Sequence, residues 1–271
     1  MSMLIGPRFV TERALITQCK GIWAGWKDAS LPGLGERQAE ALGIAFSASS
    51  TTFTQFHTSD LKRAHSTALA VVRNHAEPKP PLTVTNLLRE QHFGIAEGCP
   101  WSPRPGSSPK TLEGLFKKGI FPELEGRDAK FPEGESPNDV YRRAEQAIKE
   151  YILPHVFDKS QDGAHIGLAS HGICLSELIA ALLRLDPEAD VATSYKGHWN
   201  TAWSRMEISV RGEHEGEYDV NTPPPLHVRL VTFNEYKHLS SLPPPTTENS
   251  AARAFFSGAD VNATVTVAAA Q

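Results

Sequence analysis

The sequence predicts a three-layer α/β/α sandwich around a mostly parallel central sheet, and three observations carry that expectation. Short apolar runs alternate along the chain with amphipathic segments of helical period. The run His165–Ser170 leads through His171-Gly172 directly into an amphipathic pattern over Ile179, Leu182 and Leu183, which reads as a buried strand, a tight turn and a helix. Two alternating segments, Ala202–Val210 and Leu226–Phe233, then follow as paired strands. Sheets of this kind are covered on both faces and bind ligands beyond the carboxyl ends of their parallel strands.

In chain order, Phe9-Val10 belongs to a first strand, with Met3-Leu4-Ile5 ahead of Gly6-Pro7. From Gly33 a helix places Ala39, Leu42, Ala45 and Phe46 on one face. Phe53 to His57 is a short strand, and Thr58-Ser59-Asp60 is an N-cap cluster for a helix from Leu61 to about His75, with Leu61, Ala64, Ala68 and Val71 or Val72 inward. Pro78-Lys79-Pro80-Pro81 ends that helix, and Leu82-Thr83-Val84 is a further strand. Residues 95–135 are rich in Pro and Gly and read as a lid-like insertion with one short helix near Leu112–Lys118. Ser136-Pro137 opens a helix to about Ile152, capped by the serine with proline in the first turn. Residues 1–239 form one expected domain; from Ser240 the composition shifts to Pro, Ser, Thr and Ala, a disordered tail by expectation.

The composition narrows the function. With 40% hydrophobic and 21% charged residues the chain has the makeup of a soluble globular protein, and a net charge of −4 gives no electrostatic reason to expect nucleic acid or an anionic membrane as partner. No segment has the length of a membrane span, and the N-terminus lacks the basic-then-apolar layout of a signal peptide. Cys19, Cys99 and Cys174 share no short spacing and fit reduced thiols, so the expected location is cytoplasmic. No His/Asp/Glu cluster has metal-ligand spacing, and no cofactor is expected.

The strand-end rule groups three distant segments: Thr11–Arg13, Thr58–Arg63 and Ser170–Gly172. His171 and Gly172 stand where a strand meets a helix, beside backbone N–H groups that can hold an anion. Arg63 lies one turn into a helix, where its planar five-donor fork can swing back onto a phosphoryl group. Glu90 sits in an apolar-flanked loop, and partial burial would raise its pKa toward that of a general acid. The stretch Gly167-Leu168-Ala169-Ser170-His171-Gly172 is no α/β-hydrolase elbow, because two residues rather than one separate Gly167 from Ser170.

Together, Ser59-Asp60-Leu61-Lys62-Arg63-Ala64, Leu88-Arg89-Glu90-Gln91-His92-Phe93-Gly94, Gly134-Glu135-Ser136 and Ser170-His171-Gly172 resemble the histidine phosphatase superfamily. Gly25-Trp26-Lys27-Asp28 and Gly33-Leu34-Gly35-Glu36-Arg37-Gln38-Ala39 are similar to its phosphoglycerate mutase-like branch. The resemblance covers residues 20–235 and implies phosphoryl transfer from a small phosphorylated metabolite through a phosphohistidine, without a metal. It implies Arg63 as a clamp arginine, His171 as a second histidine, Glu90 as the proton donor, and Gly25, Gly172 and Asn200-Thr201 near the substrate. Sugar phosphates are the substrate class it suggests, with hydrolysis ahead of mutase activity; it says nothing of oligomeric state.

One signature is missing. The family carries Arg-His-Gly at the end of its first strand, and counting back from Gly25-Trp26 that position holds Thr11-Glu12-Arg13. A glutamate at position 12 cannot replace an imidazole nucleophile and brings negative charge to a phosphate site. Read from the third base of each codon, Phe9-Val10-Thr11-Glu12-Arg13-Ala14 can encode Arg-His-Gly-Glu-Ser, and Leu15-Ile16-Thr17 can continue as Asp-Asn. Two accounts follow: a frame-shifted or mis-spliced stretch over a normal active-site strand, or a pseudoenzyme that lacks the nucleophile but keeps a phosphate-shaped pocket to grip a phosphorylated ligand or a protein partner. The agreement over five consecutive residues favours the first, and under either account the chain as written should be inactive.

Overall fold

In the computed structural model, residues 21–103, 111–158, 160, 163–212 and 218–242 are described in full and residues 8–13 by their backbone. The first half runs β1 (Arg8–Arg13), α1 (Gly33–Ala48), β2 (Gln55–Ser59), α2 (Lys62–Asn74), β3 (Leu82–Thr85), β4 (Trp101–Ser102), α3 (Leu112–Phe116) and β5 (Phe121–Pro122). Then come α4 (Pro137–Tyr151), α5 (Leu153–Phe157), β6 (His165–Ser170), α6 (Gly172–Leu183), β7 (Trp203–Val210) and β8 (Leu226–Glu235). Six strands form one sheet in the order β3-β2-β6-β1-β7-β8. β3, β2, β6 and β1 are mutually parallel, and β7 runs antiparallel to both β1 and β8. This is the mostly parallel sheet expected.

Strand alternation divides the core between two faces. Ile166 and Leu168 of β6, with Met206 and Ile208 of β7, pack under α4, α5 and α6 around Ala144, Ile148, Leu178 and Leu182. On the other face Phe56 of β2 and Ala169 of β6 pack against Leu42 and Phe46 of α1 and Ala68 and Val71 of α2. Gly167 stands opposite Phe56 in the register, and a Cβ there would lie 2.3 Å from the Phe56 ring. Glycine is the residue that lets this aromatic lie flat across the strand beside it.

The insertion holds more structure than the single helix expected. β4 and β5 pair as a two-stranded parallel ribbon, and their Trp101 and Phe121 join Trp23, Phe93 and Phe131 in a separate aromatic cluster. A second difference lies at α2. Its N-cap is Leu61 with no side-chain cap; Ser59 Oγ accepts from the Leu61 amide at 3.2 Å, and Asp60 turns away to Arg89, whose Nε donates to Asp60 Oδ1 at 2.7 Å. The strand end uses these polar residues to tie loops together instead of capping a helix. α4 behaves as read, with Ser136 and Asp139 bonding each other's backbone in a capping box. The tail from Pro243, the acidic loop Glu213–Glu217 and the segment Met3-Leu4-Ile5 lie outside the described residues. Among the described residues no helix is long and apolar enough to cross a membrane, and no group of three His, Cys, Asp or Glu could hold a metal ion.

Candidate active site

The carboxyl ends of β2, β6 and β1 meet at one edge of the sheet. Register pairs Glu12 with Ala169 and Arg13 with Ser170, so the backbone of Thr11-Glu12-Arg13 ends directly beside Ser170-His171. On its other side Glu12 pairs with Trp203 at the start of β7. The turn carrying Asn200 and Thr201 leads into that strand and therefore stands on the same edge.

His171 and Arg63 are joined, 108 residues apart in sequence. Arg63 Nε donates to His171 Nδ1 at 3.1 Å, and His171 Nε2 lies 3.0 Å from Ser59 Oγ. Since Nδ1 accepts, a neutral His171 carries its proton on Nε2 and donates it to Ser59. Both side chains are buried: Arg63 is 3% and His171 2% exposed. Arg63 is held from the other end by the loop Gly25–Asp28, its Nη2 donating to the Gly25 carbonyl at 2.6 Å and its Nη1 to the Lys27 carbonyl at 3.2 Å. Burial lowers the proton affinity of this guanidinium, while Glu90, Asp28 and Glu97 raise it. Gly25 itself has φ +49°, and a Cβ there would sit 2.0 Å from Glu97 Oε1, which accepts from the Trp26 amide at 2.7 Å. Gly25 is thus required by the turn that presents its carbonyl to Arg63.

Glu90 corrects one expectation. The amides at the start of α6 are not open to a ligand as the sequence suggested: Glu90 Oε1 accepts from Ile173 N at 3.2 Å and Cys174 N at 3.3 Å, as well as from Gln91 N at 3.0 Å. The helix N-terminus holds an internal carboxylate, which its orphan donors and dipole favour. Oε2 lies 3.5 Å from Ile173 N and has no closer donor among the described residues. Gly172, buried as the first residue of α6, accepts from Ser176 Oγ through its carbonyl at 2.8 Å.

Asn200 and Thr201 share the edge but not the cluster. Thr201 is buried at φ +52°, with Oγ1 donating to the Asn200 carbonyl at 2.8 Å and lying 3.3 Å from His238 Nε2. These bonds hold the turn, and none of them runs to Arg63, His171 or Glu90.

A buried arginine, an imidazole and a carboxyl at one sheet edge, beside a strand end, can hold a tetrahedral oxyanion and pass a proton. The profile of the histidine phosphatase superfamily (branch 1) matches residues 16–216. The chain belongs to that superfamily. A broad-specificity phosphatase of Saccharomyces cerevisiae is 29% identical over 154 residues, 56% of this chain and 59% of the yeast protein's length. A 2,3-bisphosphoglycerate-dependent phosphoglycerate mutase of Bradyrhizobium sp. is 27% identical over 169 residues, covering 62% of this chain and 76% of the mutase. Among solved structures, a mycobacterial glucosyl-3-phosphoglycerate phosphatase shares the fold with a TM-score of 0.58 at 24% identity, over 84% of this chain and 98% of that one.

The superfamily match begins at residue 16, beyond Thr11-Glu12-Arg13. Sequence reasoning missed Ser59 as the partner of His171, because a Ser before Asp reads first as a helix cap. It also missed Arg143 and Glu135 as the frame around Glu90. Arg143 is 53 residues from Glu90 in sequence, and no local pattern links them.

Proposed function

We propose that this chain has the framework of a phosphatase for a small phosphorylated metabolite, with sugar phosphates the class to try first, and that Glu12 stops it from turning over. In the working form, an imidazole at position 12 attacks phosphorus while the bond to the leaving oxygen breaks. Glu90 gives that oxygen its proton, and Arg63 with His171 offsets the charge on the equatorial oxygens. Water then attacks the phosphohistidine, the N–P bond breaks, and Glu90 takes the proton back.

The observation that carries the reading is the register of β1 on β6, which sets Glu12 and Arg13 against Ala169 and Ser170. The named activities of the yeast phosphatase and the mycobacterial phosphatase support hydrolysis of a small phosphate ester. A carboxylate at position 12 lacks a nucleophilic nitrogen and repels the substrate dianion. A second reading, a phosphate-binding protein without turnover, is favoured by the Arg63–His171–Ser59 cluster, which is bonded internally and needs no nucleophile to persist.

Two measurements separate these. Thr11→Arg, Glu12→His and Arg13→Gly made together should create vanadate-sensitive hydrolysis of p-nitrophenyl phosphate where the parent has none; no gain would remove the phosphatase assignment or the register. Transcript sequencing across the codons for Ile5 to Trp23 decides the origin of Glu12. An in-frame Arg-His-Gly makes the natural protein an ordinary candidate phosphatase, whereas an encoded Thr-Glu-Arg selects the binding protein.

A further inference from the structure

Glu90 lies in a segment with no regular structure to hold it. The 3₁₀ turn Asn86–Leu88 precedes it, and the carbonyls of Leu87, Arg89 and Glu90 have no strand or helix ladder to join. One side chain gathers all three. Arg143 of α4 donates from Nη1 to the Leu87 carbonyl at 2.8 Å and the Arg89 carbonyl at 2.7 Å, and from Nη2 to the Glu90 carbonyl at 3.2 Å.

The same guanidinium forks onto a carboxylate. Nε lies 3.0 Å from Glu135 Oε1 and Nη2 2.9 Å from Glu135 Oε2. Glu135 closes the frame from the opposite side: its Oε2 accepts from His92 N at 2.9 Å, its carbonyl accepts from Gln91 Nε2 at 2.6 Å, and its amide donates to the His92 carbonyl at 2.8 Å. The Arg143 side chain is 12% exposed and the Glu135 side chain 19%, so these charge-assisted bonds work with little competition from water. The carbonyls of Leu87, Arg89 and Glu90 are held on the Arg143 side, and the Gln91 side chain with the His92 amide and carbonyl on the Glu135 side.

We propose that Arg143, braced by Glu135, is a positioning residue for Glu90: it fixes the loop so that the Glu90 carboxyl rests on Ile173 and Cys174 with Oε2 turned to the reacting group. The claim on catalysis rests on the reading of Glu90 as proton donor; the claim on position does not. An arginine is needed because one planar fork reaches three carbonyls and a carboxylate together. A lysine supplies a single ammonium that cannot span them.

The position is tested on the chain as it stands, by amide hydrogen exchange in Arg143→Met and Arg143→Lys. The Ile173 and Cys174 amides should exchange about tenfold faster or more, with Ser176–Leu183 unchanged, because they lose their acceptor while the helix stays. Unchanged rates at Ile173 and Cys174 overturn the proposal, and if Arg143→Met fails to fold, Arg143→Lys alone decides.

Catalysis is tested in the chain carrying Thr11→Arg, Glu12→His and Arg13→Gly. Arg143→Lys should lower kcat for an alkyl phosphate by about 100-fold, the low end of a general-acid contribution, with KM little changed. On p-nitrophenyl phosphate, whose leaving group needs no proton, the loss in kcat/KM, which reports enzyme phosphorylation and not the later attack of water, should be small against about 100-fold for the alkyl phosphate, and Glu90→Gln should show the same split. Equal losses on both substrates would make Arg143 a merely structural residue. Failure of the restored chain on both substrates would sink the phosphatase reading, and the exchange rates would still decide the role of Arg143 in placing Glu90.

Discussion

The two halves of this sheet edge differ in kind. Across β2 and β6, Ser59, Arg63 and His171 are buried and bonded to one another, the loop carbonyls of Gly25 and Lys27 hold the arginine, and Glu90 rests on α6. At the end of β1 the backbone stands in the same register, but its residues are Thr11, Glu12 and Arg13, and the superfamily match begins only beyond them. The half proposed to bind and protonate is held by hydrogen bonds among Ser59, Arg63 and His171 and to the loop carbonyls. On the proposed reading, a site that has lost its nucleophile would still keep these bonds.

The largest expected effect breaks the intact half. In the restored chain Arg63→Ala and His171→Ala should each lower kcat/KM by about 10²–10³ or more, the scale of removing one preorganised donor from a developing charge. Near-parental turnover in either variant would show that the bonded cluster is architectural. The two losses should not add, because Arg63 and His171 are partners in one bond. A double variant no worse than the poorer single one is the expected result.

A smaller effect probes the divergent half. If Glu12 brings its charge to the phosphate site, Glu12→Gln in the otherwise unchanged chain should tighten inorganic phosphate about tenfold at low ionic strength, roughly 1.4 kcal/mol. Calorimetric titration reads it directly, and the gain should shrink as salt screens the repulsion. Equal affinity in both chains would place the phosphate away from the end of β1.

Much of this was legible in the sequence, for physical reasons that vary by residue. Strand–turn–helix at His165–Leu183 and the Ser136-Pro137 start of α4 follow from local patterns, and the structure bears them out. Arg63 and His171 could be grouped because the carboxyl ends of parallel strands converge whatever lies between them. Glu90 on the α6 amides could not be foreseen, since a free helix N-terminus and one filled by a distant carboxylate have the same local sequence. The same holds for Asp60, a plausible cap in sequence that an arginine at position 89 draws off in space. Long-range partners for polar loop residues are the part that periodicity does not encode.

The intact half also carries a weakness, one that shows in stability rather than in turnover or phosphate binding. His57 precedes Ser59 by two residues on β2, so both point to the same side of the sheet. Its ring is 3% exposed and lies 4.6 Å from that of Tyr151, and neither of its nitrogens has a hydrogen-bond partner among the described residues. Burial, and after it the neighbouring His155, push its pKa down to about 4. In the unfolded chain a histidine titrates near 6.5. Above that pH neither state holds the proton and stability is unaffected. As pH falls from about 6.5 to about 4 the unfolded chain gains a proton that the fold refuses, so stability drops across that window and levels off below it. His57→Leu removes the term. Relative to the parent, its stability from urea unfolding should improve by about 2 kcal/mol between pH 7 and pH 4.5. His238, whose pKa burial also lowers to about 4, is present in both proteins and cancels in the difference. A difference that stays constant with pH would clear His57, and the strand that positions Ser59 would then owe none of its acid sensitivity to this ring.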